Sequence, residues 1–120
     1  MNLVWANVTD AGMQLGGATI GVPGDVLNEA RSKGLKEVTV GFRPEDLTIG
    51  EGMAVRVEFV EQLGVDAYVH GIVSTPHGDQ NVVVRTDGRR PPHIGETIHV
   101  NIKDGHIHVF DSESGLRLGN

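Results

Sequence analysis

Glycine is the residue that most constrains what this chain can fold into. It fills 17 of 120 positions and separates apolar runs that are mostly too short for packed helices. Inside a helix or strand Gly is destabilising by roughly 0.5–1 kcal/mol relative to Ala, so it collects where the chain turns. Leu3 to Val8, Met13 to Leu15 and Ala18 to Val22 are parted by Ala11-Gly12 and Gly16-Gly17, which read as hairpin turns. Lys36 to Phe42 alternates, with Val38, Val40 and Phe42 on one face. Met53, Val55, Val57 and Phe59 alternate with Ala54, Arg56 and Glu58, the period of a half-buried strand. Gly64 ends that strand, and Val65, Ala67, Val69 and Val73 share a face of the next. Asn81 to Thr86 adds another, and Thr97 to Ile102 with His106 to Phe110 reads as a hairpin over Asp104-Gly105. One helix is expected: Asp25 caps it after Pro23-Gly24, Val26, Leu27 and Ala30 form its stripe, and Gly34 stops it. About eight strands at this spacing predict a mainly all-β single domain, a small barrel or sandwich. Two β-rich sub-lobes, 1–46 and 47–120, are expected to meet near Pro44 to Gly52.

Composition narrows the function classes. A hydrophobic fraction of 38% suits a globular chain, but the only aromatics are Trp5, Phe42, Phe59, Tyr68 and Phe110. The core must therefore rest on Val, Ile and Leu. Sixteen acidic residues face ten Lys and Arg, a formal charge of -6. Binding a phosphate backbone requires clustered cations, so a nucleic-acid partner is not expected. No Cys is present, which removes disulfides and thiolate metal sites. Met1 to Trp5 has neither a positive start nor a long apolar stretch, and no run reaches spanning length, so neither export nor membrane insertion is expected.

Candidate chemistry is sparse. No G-x-x-x-x-G-K-[ST] occurs, so nothing is placed to cradle nucleotide phosphates with Mg²⁺. If Asp104-Gly105 is the tip of a hairpin, His99, His106 and His108 share its polar face, where three imidazoles could hold Zn²⁺ or Ni²⁺. Strand alternation alone also puts polar residues there, so no metal site is assigned. Glu45-Asp46 and Glu58/Glu61 are carboxylate pairs of the kind used in acid–base chemistry, and equally of the kind found on solvated surfaces. Ser74, Ser112 and Ser114 lie in no nucleophile pattern. Arg89-Arg90 before Pro91-Pro92 reads as a solvated loop, and Gly16-Gly17 as a turn rather than a dinucleotide fingerprint. No catalytic residue, cofactor-binding residue or metal ligand is assigned.

Short motifs do occur in a distinctive order. They are Asn2-Leu3, Gly41-x-Arg43-Pro44-Glu45-Asp46, Val57-x-x-Val60-Glu61-x-Leu63-Gly64, and His108-Val109-Phe110-Asp111-x-x-x-Gly115-x-Arg117-Leu118. In that order over the whole chain they resemble the C-terminal regulatory region of the ATP-binding subunit of bacterial carbohydrate importers, of the maltose-transporter type. Val65-Asp66-Ala67-Tyr68-Val69-His70-Gly71 is further similar to the multiple-sugar importers of actinobacteria. Phe42, where Val or Ile is commoner, and Ser114, where Thr is usual, are mild departures.

The resemblance implies a transport-associated OB (TOBE) domain: an OB-like barrel with a second small β lobe and one short helix. It implies a non-catalytic module that joins two ATPase subunits as a homodimer and can receive a regulatory protein. ATP and Mg²⁺ would belong to a nucleotide-binding domain this sequence lacks, and membrane permease subunits would be met through that domain. The parent would sit on the cytoplasmic face of the membrane. Interface or regulatory roles are expected at Arg43, Pro44, Glu45, Asp46, Glu61, Gly64, Phe110, Asp111 and Gly115. Structural roles compete with docking at each: Gly64 and Gly115 in turns of positive φ, Pro44 in a rigid loop, Phe110 in the core. An Arg43 ion pair with Glu45 or Asp46 is expected to pin the lobe junction. A small-ligand binder of the same barrel type, taking an oxyanion such as molybdate, is the alternative reading.

Overall fold

The computed structural model describes residues 1–75 and 77–119. The first 42 residues build most of one antiparallel sheet. Its strands β1 (Asn2–Thr9), β2 (Gly12–Leu15), β3 (Ala18–Ile20), β4 (Glu37–Phe42) and β9 (His108–Asp111) lie in the order β3-β2-β1-β4-β9. The second antiparallel sheet holds β5 (Leu47–Leu63), β6 (Asp66–Thr75), β7 (Gly78–Asp87) and β8 (Thr97–Ile102) in the order β7-β6-β5-β8. The mainly β class and the single short α-helix expected from the sequence are what the chain adopts, with nine strands among the described residues.

Period-2 patterning decides which faces meet. Val4 and Ala6 of β1, Val38, Val40 and Phe42 of β4, Val55 and Val57 of β5, and Val69 and Val73 of β6 are all fully buried. They form one apolar cluster that spans both sheets. Burying such a side chain contributes about 1.5–3 kcal/mol, so many small aliphatics replace the few large aromatics of other cores.

Amide side chains close one seam between the sheets. Among the described residues β1 has no strand partner on that side beyond its pairing with β2 at Asn7–Thr9, and β7 is an edge strand. Asn2 Nδ2 donates to the Val83 carbonyl, and the Val83 amide donates to Asn2 Oδ1, both at 2.8 Å. In return the Trp5 amide donates to Gln80 Oε1 at 2.7 Å. Asn2 is the one buried polar residue among those described. Its amide stands in for a neighbouring strand and satisfies backbone groups that would otherwise cost desolvation energy. A second seam closes where the Ala54 amide donates to the Gly16 carbonyl at 3.0 Å.

Helix α1 (Gly24–Ser32) buries Val26 and Ala30. Its N-cap is Pro23 and no side chain among the described residues caps it; Asp25, expected as the cap, lies inside the first turn, where it favours the positive end of the helix dipole. Its end follows the expectation. Gly34 N donates to the Arg31 carbonyl and Leu35 N to the Ala30 carbonyl, the paired bonds of a Schellman stop.

The last expected hairpin is not formed. β8 pairs with β5, whereas β9 crosses to the other sheet and pairs with β4 through Val38↔Asp111 to Gly41↔His108. Asp104-Gly105 turns the chain, yet its two flanks enter different sheets. The apolar residues on both flanks still reach the common core, with Ile98, Val100, Ile107 and Val109 buried.

Candidate interaction surface

That crossover disperses the three histidines. His99 sits opposite Ala54 in the second sheet and His108 opposite Gly41 in the first, while His106 lies in the connection and pairs with Asp46. Among the described residues no three His, Cys, Asp or Glu side chains are grouped to hold a metal ion. The carboxylate pairs are also separated by their partners. Glu58 meets Arg56 at 3.5 Å and Glu61 meets His70 at 3.6 Å. Hydrogen bonding depresses the carboxyls that depart from ordinary behaviour: Glu29 through Lys33, Asp87 through Arg89, and Asp111 through the Glu113 amide. A general acid needs the opposite shift. Arg89 is forked onto Asp87 at 2.7 Å, so it is not a free anion ligand.

The nine expected interface residues fall at three places. The first is the junction between sheets. Arg43 is extended, as a residue before proline should be, and Pro44–Asp46 makes one 3₁₀ turn. The expected Arg43 ion pair with Glu45 or Asp46 is absent among the described residues. The β8–β9 connection wraps over the junction and takes its acceptors instead. His106 Nδ1 lies 3.1 Å from Asp46 Oδ1, the Lys103 amide donates to the Asp46 carbonyl at 2.8 Å, and Lys103 Nζ donates to the Glu45 carbonyl at 3.2 Å.

The second place is the turn after β9. Asp111 Oδ1 accepts from the amides of Glu113 (2.9 Å) and Ser114 (3.4 Å), and the Asp111 carbonyl accepts from Gly115 N at 2.8 Å. Gly115 has φ +75° and Gly64 has φ +74°, conformations that a Cβ disfavours. Phe110 is half-buried beside Thr39 and bridges to Arg117, and the chain then buries Leu118. The Phe-Asp-x-x-x-Gly motif thus builds a turn that returns the chain to the core.

The third place is the tip of the β5–β6 hairpin, around Glu61 and Gly64. The sequence pattern puts Phe59 on the same face as Met53, Val55 and Val57. The structure turns it outward. Register shifts between Val57 and Phe59, because Val57 pairs with Gly71 and Phe59 with His70, the next residue along β6. The extra residue, Glu58, is a β-bulge, and past it the faces exchange: Val60 packs on the core while Phe59 is 52% exposed. The adjacent apolar pair Phe59-Val60 is the break in alternation that signals this in the sequence. Val65 likewise leaves the face assigned to it; it sits in the two-residue turn and is 79% exposed. Phe59, Glu61 and Leu63 alternate along the outer face, opposite His70, Tyr68 and Asp66, and the Phe59 ring lies 5.2 Å from that of His70.

The tip is held firmly. Gln62 Nε2 donates to the Gly88 carbonyl at 2.8 Å, the Gly88 amide donates to the Val65 carbonyl at 2.8 Å, and Arg85 grips Asp66 at 2.7 Å. Phe59, Leu63 and Val65 are therefore exposed apolar side chains on a rigid end of the sheet, the kind of feature that marks a contact surface.

Comparison with known proteins places this geometry in a family. The TOBE domain family matches residues 40–110, and the MalK OB fold domain family matches residues 1–47. The diacetylchitobiose uptake system ATP-binding protein MsiK of Streptomyces coelicolor is 38% identical over 98% of this chain and 36% of its own length. The sn-glycerol-3-phosphate import ATP-binding proteins UgpC of Psychromonas ingrahamii and Escherichia coli are 31% and 30% identical, each over 98% of this chain. The chain spans about a third of the length of these relatives, covering 32% of the former UgpC and 33% of the latter.

Proposed function

Because the chain belongs to the TOBE domain family, we propose that it is the regulatory and dimer-contact region of a sugar-importer ATPase, with no catalysis of its own. The observation that carries this reading is the rigid hairpin tip, where a bulge turns Phe59 out beside Leu63 and Val65. Two such tips meeting across a two-fold axis would hold two ATPase subunits together while their catalytic domains open and close. Tethering of this kind makes closure an intramolecular event at high effective concentration. A regulatory protein that binds only one arrangement then changes the rate of transport by shifting populations.

In this reading ATP and Mg²⁺ act in a separate nucleotide-binding domain, which also meets the permease subunits, and the assembly works at the cytoplasmic face of the membrane. Among the described residues no helix is long and apolar enough to cross a membrane. MsiK and the UgpC proteins carry this region although their names give different transported solutes, so this reading gives it control of transport and leaves the choice of substrate to other parts.

Sedimentation equilibrium tests the proposal. The chain should self-associate weakly, and the Phe59→Ser/Leu63→Ser double variant should be monomeric with an unchanged circular dichroism spectrum. Self-association that persists in the double variant, or a wild-type chain that stays monomeric at every concentration, removes the tip as the dimer contact.

A further inference from the structure

A groove of about 530 Å³ lies over β4, lined by β1, the segment after α1, the turn after β9 and His77 from the β6–β7 turn. That falls within the usual size of small-molecule sites, about 300–1,000 Å³. Trp5 of β1 forms one wall. The His77 ring, on the β6–β7 turn, meets it edge-on at 4.5 Å between centroids and is anchored in turn on the Glu37 carboxylate. The opposite wall is the turn after β9, where Ser112 Oγ lies 3.1 Å from Thr39 Oγ1 and the Asp111 carboxylate fixes the backbone of Glu113. Lys33 and Lys36 close one end.

The chemistry of the lining selects a ligand class. Lys33 and Lys36 share the lining with Glu37, Asp111 and Glu113, so neither sign of charge dominates. An anion would meet three carboxylates and a cation two ammonium groups. Lys33 is already paired with Glu29, and Glu37 with His77. What the groove offers in quantity is donors and acceptors close together beside an indole ring. Neutral polyols use such a surface best: each hydroxyl both donates and accepts, and the C–H face of a pyranose packs on an aromatic ring. We propose that this groove binds a neutral saccharide, with Trp5 as its platform and Lys36, Ser112 and Glu113 as hydroxyl partners.

Such a ligand would act on the fold as well as fill the groove. It touches β1 and the β9 turn from one sheet and the β6–β7 turn from the other, so it clamps the sheets together. Binding to the folded state alone raises the melting temperature by mass action.

Trp5 is the only tryptophan, so its fluorescence reports on the groove directly. The purified chain is titrated with maltose, cellobiose and N-acetylglucosamine, and with sulfate and molybdate as anion controls. A saturable fluorescence change with at least one saccharide and none with the anions is expected. Amide chemical-shift changes should centre on Trp5, Lys36, His77 and Ser112. In Lys36→Ala/Glu113→Ala, both residues of the groove lining, affinity should fall roughly tenfold or more, since hydrogen bonds to charged groups are worth about 1.5–3 kcal/mol. Absence of saturation with all three sugars, shifts centred elsewhere, or undiminished binding by the double variant would each overturn the proposal. Saturation by an anion alone would assign the groove to oxyanions and overturn it as well. None of these outcomes bears on the dimer contact, which lies at the other hairpin end.

Discussion

Replacing Asn2 by Ala tests whether an amide side chain really closes the seam between the two sheets. Asn2 makes two hydrogen bonds of 2.8 Å to the backbone of Val83, a residue 81 positions away on the edge of the other sheet. Each such bond contributes about 0.5–1.5 kcal/mol net, and a group left dry and unpaired costs about 1–3 kcal/mol. Val83 is half-buried, so water recovers part of the loss. The expected destabilisation is about 2 kcal/mol. A chain of this length has an unfolding entropy near ~0.25 kcal/mol/K, so the melting temperature should fall by about 8 °C. Asn2→Asp keeps an acceptor for the Val83 amide but sets an oxygen against the Val83 carbonyl, and should lose at least as much. Thermal melts followed by circular dichroism measure the loss, and amide exchange locates it at Val83. If Asn2→Ala melts within about 2 °C of the wild type while the Val83 amide stays protected, the amide seam contributes nothing and β1–β7 closure rests on the apolar core alone.

Other residues give independent checks. Phe42 is fully buried; Phe42→Ala should cost about 3–5 kcal/mol in urea unfolding, and a loss below about 1 kcal/mol would mean the site collapses around the void. Asp87, gripped by the Arg89 side chain and amide, has its pKa lowered from 3.8 to about 2. Because the folded value lies below the unfolded one, the contact is intact above pH 3.8 and is lost as the pH falls through about 2. Carboxyl NMR titration should read that value and see it climb back in Arg89→Ala; an unmoved midpoint would exclude the fork as the cause. His106→Ala removes the imidazole from Asp46, and exchange at the Pro44–Asp46 turn should quicken while the β6–β7 amides stay unchanged.

How much was legible in the sequence differs between elements. The alternation of β4 and of Met53–Val57 was readable because a half-buried strand needs only period 2, whatever its neighbours are. The helix stop at Gly34 is readable because its signals are local, whereas the Asp25 cap is not formed, because the helix begins two residues earlier, with Pro23 at the N-cap position and Asp25 inside the first turn. Phe59 was misread because one inserted residue inverts every later side chain, and a bulge leaves only a doubled apolar pair as its trace. The histidine face failed for a longer-range reason: a turn at Asp104-Gly105 fits either a hairpin or a crossover, and only the pairing of β9 with β4 distinguishes them. Asp46 belongs with these cases, because its partner arrives from 60 residues further along the chain.

The sequence by itself determined the mainly β class, the glycine-marked turns, the aliphatic core and the family motifs, all of which follow from local steric preference, two-residue periodicity and order along the chain. Tertiary structure alone decided which strands share a sheet, that Asn2 bridges to β7, that Phe59 faces outward, and that Trp5 and His77 wall one groove. Those outcomes depend on contacts between distant residues. Chain connectivity permits several such pairings, and the common core selects among them by burying both sheets at once.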